Sequence, residues 1–323
     1  MQRQTRGFIV CFADFKKTLQ KHLNLTFKSG IVLNRKQNII ILEDNMKKII
    51  CAILLVATLL SFCSCGQAQK KVKVIDIALT VEDYAFAVKK GNAELLGQLN
   101  DFLAEIQKNG EFKKVLDKYF AGGTPEAVTS ATKDESKKQI VVATNAAFKP
   151  FEYTEGGKFY GVDMEIMSMF AKSIDAELVI DDMQFESVCT AVGNGNCDIA
   201  ASGLTIKPDR EEILDFSTSY YNAAQKIICL EDDTTFAECK TVEDMEAALK
   251  ALPEGTKFGA QAGTTGYLYI TGDEDWGFEG YKNISIAAYD NGSMAVQDLI
   301  NGNIKYVIID DAPASNIVKS FNG

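Results

Sequence analysis

The spacing of apolar residues changes repeatedly between residue 139 and residue 323. Short apolar runs predict strands at 139–144, 177–182, 198–202, 258–261, 285–289 and 306–310. Apolar residues three or four positions apart predict helices at 162–174, 185–192, 207–214, 242–252, 293–300 and 312–321. Pro208 stands in the first turn of the 207–214 helix, where a missing N–H is tolerated. This alternation predicts an α/β protein with mainly parallel sheets.

The segment before residue 139 has a different pattern. Strands are predicted at 72–79 and 84–88, and helices at 92–108 and 111–119. Residues 121–137 are rich in Gly, Ser, Thr and charge and have no periodic apolar face, so we expect a flexible linker there.

An apolar stretch of about fifteen residues begins at Ile49, after two lysines. It is short for a transmembrane helix and has the length of a signal-peptide core. The sequence LSFCSCG at 60–66 resembles a lipoprotein cleavage site, with Cys65 as the lipidated residue because the small Ser64 precedes it. We expect a lipoprotein signal peptide at 46–64; a plain signal peptide and an uncleaved anchor are the alternatives.

Residues 1–45 carry no targeting pattern. We interpret them as a gene-model extension, the alternative being a cytoplasmic tail.

Charge is divided unevenly along the chain. Residues 1–64 hold ten basic and three acidic residues, and the remainder holds 24 basic and 41 acidic residues. So acidic a body lacks the basic surface that nucleic-acid binding requires and suits an extracytoplasmic protein.

Four cysteines lie in the body of the chain: Cys189, Cys197, Cys229 and Cys239. In an exported protein an even number permits disulfides, and the pairs 189–197 and 229–239 form one of the three connectivities that four cysteines allow. No His follows His22, so we expect neither a metal site nor a cofactor.

Several short sequences in the body follow one another in a recognisable order. They are NAAFKPFEY at 145–153, GVDME at 161–165, DIAASGLT at 198–205, DFS at 215–217, QAGTTG at 261–266 and IIDDAP at 308–313. This ordered set resembles polar amino-acid-binding proteins of ABC importers, in solute-binding family 3. The resemblance covers residues 139–323 and implies a bilobal type II periplasmic-binding-protein fold, with two α/β lobes joined by two hinge strands.

The order of segments departs from the family at both ends. In the family, the helix after Asp311 is followed by another strand, a crossover and a terminal helix pair. Here that piece resembles residues 70–120, which come before the domain instead. We therefore expect a circular permutation, with 121–137 joining the ancestral ends; a fusion of two incomplete copies is the alternative. The expected lobes are 84–120 with 138–224, and 70–83 with 225–323, with hinge strands at 84–88 and 223–229.

Arg210 is the only arginine after residue 35, although lysines are abundant. A planar guanidinium binds a carboxylate through two parallel hydrogen bonds, which an ammonium cannot do. Its position five residues after Thr205 matches the family's carboxylate clamp; a surface arginine is the alternative. Ser202, Gly203 and Thr205 are expected to donate hydrogen bonds to the same ligand, and so are Thr264 and Thr265 at a helix start.

The remaining expected contacts define the other ends of the ligand. Asp311 is expected to bind the α-ammonium, with Asp310 as the alternative residue. The structural alternative for this pair is that it caps the N-terminus of the following helix. The resemblance implies that Phe148 and Phe185 cover the aliphatic part of the ligand. Asn145 and Gln261 are neutral, which favours a neutral polar amino acid over lysine or arginine.

We expect this exported, lipid-anchored protein to be a monomer that delivers its ligand to an ABC permease, on the outer face of the cytoplasmic membrane or in the periplasm. We expect no catalysis. A sensory ligand-binding module and a dehydratase-like enzyme of the same fold are the competing functions.

Overall fold

The structure is a computed structural model, and it describes residues 70–323. The expected extension at 1–45, the signal peptide and Cys65 lie outside the described residues. The strands are β1 (Val72–Ile75), β2 (Glu82–Tyr84), β3 (Ala87–Lys89), β4 (Gln139–Thr144), β5 (Ala147–Phe148), β6 (Glu152–Glu155), β7 (Lys158–Tyr160), β8 (Glu177–Asp182), β9 (Ile199–Ala200), β10 (Leu214–Phe216), β11 (Tyr221–Ala223), β12 (Gln225–Leu230), β13 (Thr256–Gln261), β14 (Ile284–Tyr289) and β15 (Tyr306–Asp310). The helices are α1 (Ala93–Asn109), α2 (Glu111–Phe120), α3 (Val162–Ser173), α4 (Phe185–Gly193), α5 (Pro208–Glu211), α6 (Val242–Lys250), α7 (Thr265–Thr271), α8 (Gly292–Asn301) and α9 (Asp311–Asn322). None of these helices is both long and apolar enough to cross a bilayer.

Two five-stranded sheets define two lobes. The strand order is β10-β3-β9-β4-β8 in lobe 1 and β1-β12-β15-β13-β14 in lobe 2. The predicted α/β class is confirmed, and four of the five strands in each sheet are parallel to one another, as expected. Within each sheet one strand runs against the other four, β3 in lobe 1 and β12 in lobe 2, so half of the pairings are antiparallel. Each reversed strand is the first one after the chain crosses from the other lobe.

The two crossings run side by side as a two-stranded antiparallel sheet, β2 with β11. Tyr84 lies opposite Tyr221, and Glu82 lies opposite Ala223. This hinge lies a few residues before the predicted ranges 84–88 and 223–229, most of which belong to β3 and β12. Lobe 1 is therefore one continuous stretch between the crossings, and lobe 2 combines β1 with everything after β11.

Helix α3 illustrates how the sequence fixes the elements of lobe 1. Val162, Ile166 and Phe170 recur at helical spacing, and all three are fully buried. Gly161 precedes them with φ 126°, and a Cβ there would lie 1.9 Å from the carbonyl oxygen of Phe151. Only glycine allows β6 to pass so close to the start of the helix.

The helix predicted at 207–214 is shorter than expected. It covers only Pro208–Glu211, and Leu214 begins β10 instead. Leu214 is fully buried and lies opposite Lys89 of β3. Pairing with the lobe 1 sheet therefore outweighs the helical preference of this segment.

The connection at 121–137 contains no helix or strand. It is hydrogen-bonded to lobe 1, whereas the sequence predicted a flexible linker. The N–H of Val128 donates to the carbonyl of Phe159 at 2.8 Å, and the N–H of Ala131 donates to the carbonyl of Leu178 at 2.8 Å. The side chain of Val128 is 5% exposed.

The first strand and the last helix of the described chain lie side by side in lobe 2. The Asn322 side chain accepts a hydrogen bond from the N–H of Val72 at 3.1 Å and donates one to its carbonyl at 2.8 Å. Both backbone groups of Val72 are satisfied by one amide, which fixes the start of the domain against its end.

Candidate functional site

A narrow cleft lies between the lobes. Lobe 1 lines it with Asn145, Phe148, Glu152, Phe185, Ser202, Gly203, Thr205 and Arg210, and lobe 2 lines it with Gln261, Thr264, Thr265 and Asp310. The structure thus brings together ten of the eleven residues expected from the sequence. Asp311 does not line the cleft, and Glu152 does so without having been expected.

The guanidinium of Arg210 is buried, with its side chain only 7% exposed. Its Nη1 donates to the carbonyl of Thr205 at 2.8 Å, and its Nη2 donates to the carbonyl of Gly263 on lobe 2 at 3.3 Å. The ring of Phe185 lies 5.5 Å from Cζ. Among residues 70–323 it forms no ion pair with a carboxylate. A buried cation without a counter-ion is costly, and an anion in the cleft would offset that cost.

Glu82 of the hinge joins the two lobes through threonine hydroxyls. Its Oε2 accepts from Thr205 of lobe 1 at 2.7 Å and from Thr265 of lobe 2 at 2.9 Å, and its Oε1 accepts from Thr80 at 2.7 Å. Sequence reasoning missed Glu82, although the alternation of Thr80, Glu82 and Tyr84 along an extended segment places them on one face. In this structure the hydroxyls of Thr205 and Thr265 are engaged with Glu82.

Asp310 occupies the position that was expected for Asp311. It is 4% exposed, and its Oδ1 accepts from the hydroxyl of Tyr84 at 2.6 Å. Burial, and then the nearby charge of Glu82, raise the pKa of Asp310 to about 7. The Asp311 side chain instead accepts from the N–H of Ala312 at 2.8 Å, at the start of α9. The physical reason is that β15 ends at Asp310 and α9 begins at Asp311, so the chain changes direction between the two aspartates and only Asp310 lines the cleft.

A second pair of carboxyl groups lies beneath the lobe 1 side of the cleft. Glu152 is fully buried; its Oε1 accepts from the hydroxyl of Ser202 at 3.1 Å, and its Oε2 has no hydrogen-bond partner within residues 70–323. Asp163 is also fully buried and accepts from the hydroxyl of Tyr220 at 2.6 Å and from the N–H of Gly203 at 3.0 Å. Burial raises the pKa of Asp163 to about 7 and that of Glu152 well above its ordinary value. The available sequence signal for Glu152 was an acidic residue directly after Phe151.

Two neutral amides meet across the cleft. The Nε2 of Gln261 donates to the Oδ1 of Asn145 at 2.8 Å, and the Nδ2 of Asn145 donates to the carbonyl of Met183 at 2.7 Å. This end of the cleft offers polar groups without net charge.

Phe148 forms part of the wall next to Gly203. Gly203 has φ 49°, and a Cβ there would lie 2.9 Å from the Phe148 ring. The absence of a side chain at 203 therefore allows both the left-handed turn and the close approach of the ring.

Lys207 and Asp273 connect the lobes at the rim. The Nζ of Lys207 lies 2.5 Å from Oδ2 of Asp273 and 2.8 Å from Oδ1 of Asp209. Lys207 is 3% exposed, so the pair is shielded from solvent. The structure thus has its lobes in contact across the cleft.

The disulfide expectation is not met in this structure. Cys189, Cys197, Cys229 and Cys239 are free thiols. Cys197 and Cys229 are buried among apolar neighbours, so these two behave as small core residues.

A family model described as bacterial extracellular solute-binding proteins, family 3, matches residues 4–122 and 140–311. The arginine-binding extracellular protein ArtP of Bacillus subtilis is 29% identical over 189 residues, which cover 58% of this chain and 67% of that protein. A probable histidine-binding protein of Neisseria gonorrhoeae is 29% identical over 180 residues, which cover 55% of this chain and 61% of that protein. The chain therefore spans about two thirds or less of the length of these relatives.

Among solved structures, the holo ArgBP of T. maritima shares 27% sequence identity with this chain. The match covers 58% of this chain and 75% of that protein, with a TM-score of 0.47.

Proposed function

This chain belongs to the bacterial extracellular solute-binding proteins of family 3, and we propose that it captures a free amino acid between its lobes. The observation that carries the proposal is the buried guanidinium of Arg210, which has carbonyl partners but no carboxylate partner among residues 70–323. A ligand α-carboxylate supplies the missing counter-ion through two parallel hydrogen bonds. The first N–H groups of α7 after Thr264 add further donors around it, while the hydroxyls of Thr205 and Thr265 stay bonded to Glu82 beside the carboxylate.

We assign the α-ammonium of the ligand to Asp310 rather than Asp311. Asp310 is buried, lies on the lobe opposite Arg210 and lines the cleft. A zwitterion therefore contacts one lobe mainly through its carboxylate and the other through its ammonium. Ser202 and Gly203 add polar contacts on the lobe 1 side.

The ligand side chain lies, in this proposal, between Phe148 and Phe185 and reaches the amides of Asn145 and Gln261. The support is that these amides are neutral and bonded to each other. A neutral polar side chain can replace that bond with its own donor and acceptor. The relatives named for arginine and histidine make those two amino acids necessary members of any test.

Ligand binding is proposed to close the lobes about the β2–β11 hinge and to present the closed form to an ABC permease.

We propose a monomer that binds without turnover, exported and held at the membrane by a lipid on Cys65. Incorporation of labelled fatty acid tests the anchor: Cys65→Ser should abolish it and Cys63→Ser should not. Labelling that persists in Cys65→Ser contradicts the assignment.

We also propose that the domain, 70–120 with 138–323, is a circular permutation of the family order. The support is that β1 and α9 are joined through Asn322 and Val72, which would be neighbours in an unpermuted chain. Residues 121–137 then bridge the ancestral ends along lobe 1.

Amino-acid binding is tested by measuring thermal unfolding with each of the twenty common L-amino acids, followed by calorimetric titration of those that raise the unfolding midpoint. A ligand at about 100 times its Kd stabilises the folded state by about 2.7 kcal/mol. We expect one or a few polar amino acids to act. If no panel member shifts the midpoint, the proposal fails; NMR of the recovered ligand should show it chemically unchanged.

A further inference from the structure

Glu152 is a carboxyl group in the cleft wall that the proposed ligand contacts do not use. Its side chain is fully buried on β6, yet it lines the cleft. One oxygen accepts from Ser202, and the other, Oε2, has no hydrogen-bond partner in the described part of the chain. Buried polar atoms are nearly always hydrogen-bonded, so an orphaned carboxyl oxygen at a ligand cleft requires an explanation.

The charged groups that act on the pKa of Glu152 are all acidic. Asp163 of α3, Asp310 of β15 and Asp182 at the end of β8 each raise its pKa, after burial itself, and the hydroxyl of Ser202 partly opposes them. Tyr220, next to the hinge, is the remaining titratable neighbour. An additional cation is therefore the group that this environment lacks.

Glu152 and Asp310 line the same cleft from opposite lobes, so a ligand donor bound between them has a carboxyl group on each side. A primary ammonium has three N–H donors and a compact charge, which suits two carboxyl acceptors on different sides. The same cation would reduce the repulsion between the two acids, which can share one negative charge between them.

We propose that Glu152 is a ligand-binding residue whose Oε2 accepts a hydrogen bond from the α-ammonium of the bound amino acid, opposite Asp310. This inference rests on the proposed function. It makes the ammonium site a two-lobe site, so the amine is sensed only when the cleft is closed. Carboxylic acids without an α-amine then bind poorly even where their carboxylate and side chain fit.

The test is a cycle that removes the amine from the ligand and the carboxyl from the protein. The probes are L-glutamine and L-arginine, with their α-deamino counterparts glutaramate and 5-guanidinopentanoate, titrated into wild type and Glu152→Gln. The variant should weaken amino-acid binding by about 10- to 100-fold and leave the affinity for the deamino acids within about twofold. Glu155→Gln, an exposed position on the same strand, is the matched control and should change neither affinity.

Equal losses for both probe types in Glu152→Gln would mean that Glu152 supports the cleft without touching the amine, and the inference fails. Wild type that binds no amino acid fails the proposed function instead, which keeps the two outcomes separate.

If Glu152→Gln does not fold, wild-type protein labelled with ¹³C at the glutamate side-chain carboxyl gives the answer. One buried carboxyl resonance should move when an amino acid binds and stay in place with the deamino acid. Identical spectra for the two probes overturn the inference.

Discussion

The Nζ of Lys207 on lobe 1 lies 2.5 Å from the Oδ2 of Asp273 on lobe 2. Both side chains are nearly buried at the rim of the cleft, at 3% and 9% exposed. An ion pair shielded in this way exists only while the lobes are together. The pair therefore contributes to the free energy of closure without contacting the proposed ligand.

Replacing Asp273 with Asn should favour the open arrangement, because Lys207 keeps only its bond to the half-exposed Asp209. Loss of one partner from a buried pair is worth up to about 3–5 kcal/mol, of which solvent entering the rim will recover a part. We expect weaker amino-acid binding and a larger radius of gyration by small-angle scattering. Asp209→Asn is the control and should have the smaller effect on both measurements. Equal effects of the two substitutions would show that the Lys207–Asp273 ion pair does not favour closure more than the Lys207–Asp209 pair does.

Replacing Arg210 with Lys should weaken amino-acid binding by about 2–4 kcal/mol, because a buried carboxylate loses its two-point partner. Calorimetric titration measures the loss. Lys319→Arg, at an exposed position of α9, controls for exchange between the two basic residues. Wild-type affinity in Arg210→Lys would refute the carboxylate assignment.

Replacing Gly203 with Ala should destabilise the fold and weaken binding. Position 203 has φ 49° and a Cβ would lie 2.9 Å from the Phe148 ring, so strain and overlap both act, at about 1–3 kcal/mol. Gly91→Ala separates the two effects, because its φ is 83° but no atom lies within 4 Å of the added carbon. In urea denaturation, the free energy of unfolding of Gly203→Ala should be clearly lower than that of Gly91→Ala. Similar free energies would mean that the Phe148 ring moves aside at no cost.

The stability of the folded chain should fall between about pH 4 and pH 7 through Asp163. Burial raises its pKa from 3.8 to about 7, so in this interval the folded state holds a proton that the unfolded chain releases. The free energy of unfolding then decreases as pH rises, by up to about 1.4 kcal/mol per pH unit for one proton. Asp163→Asn should reduce this slope in urea denaturation by the contribution of one proton, while Asp310 and Glu152, whose pKa values are also raised, keep the remainder; exposed Asp101→Asn should leave the slope unchanged. An unchanged slope in Asp163→Asn would show that the group is ionised in the fold.

A rearranged chain, 138–323 followed by 70–120, should fold and bind the same amino acids as the present order. The reason is that Asn322 and Val72 already lie within hydrogen-bonding distance, so joining these ends requires little movement. Circular dichroism and the thermal panel measure the outcome. A rearranged chain that stays unfolded, beside a properly folded parent, would argue against the permutation.

Sequence patterns fixed most individual elements because local spacing decides them. The strands 139–144, 177–182 and 306–310 form as predicted, since each is a short apolar run with no competing period. Arg210 was identified because a lone arginine among many lysines is a chemical choice visible without coordinates. Similarly, the motifs of the cleft are contiguous, so ten of its residues could be named in advance.

Only the tertiary structure decided which of those residues face one another. The change from β15 to α9 between Asp310 and Asp311 leaves only Asp310 in the cleft, and no pattern in IIDDAP distinguishes the two residues. Glu82 accepts hydrogen bonds from Thr205 and Thr265, each more than a hundred residues away in the sequence. The Oε2 of Glu152 is left without a hydrogen-bond partner among the described residues, which no sequence pattern indicates. Local periodicity reports how a segment folds, whereas burial and hydrogen-bond satisfaction depend on segments that meet only once the lobes have assembled.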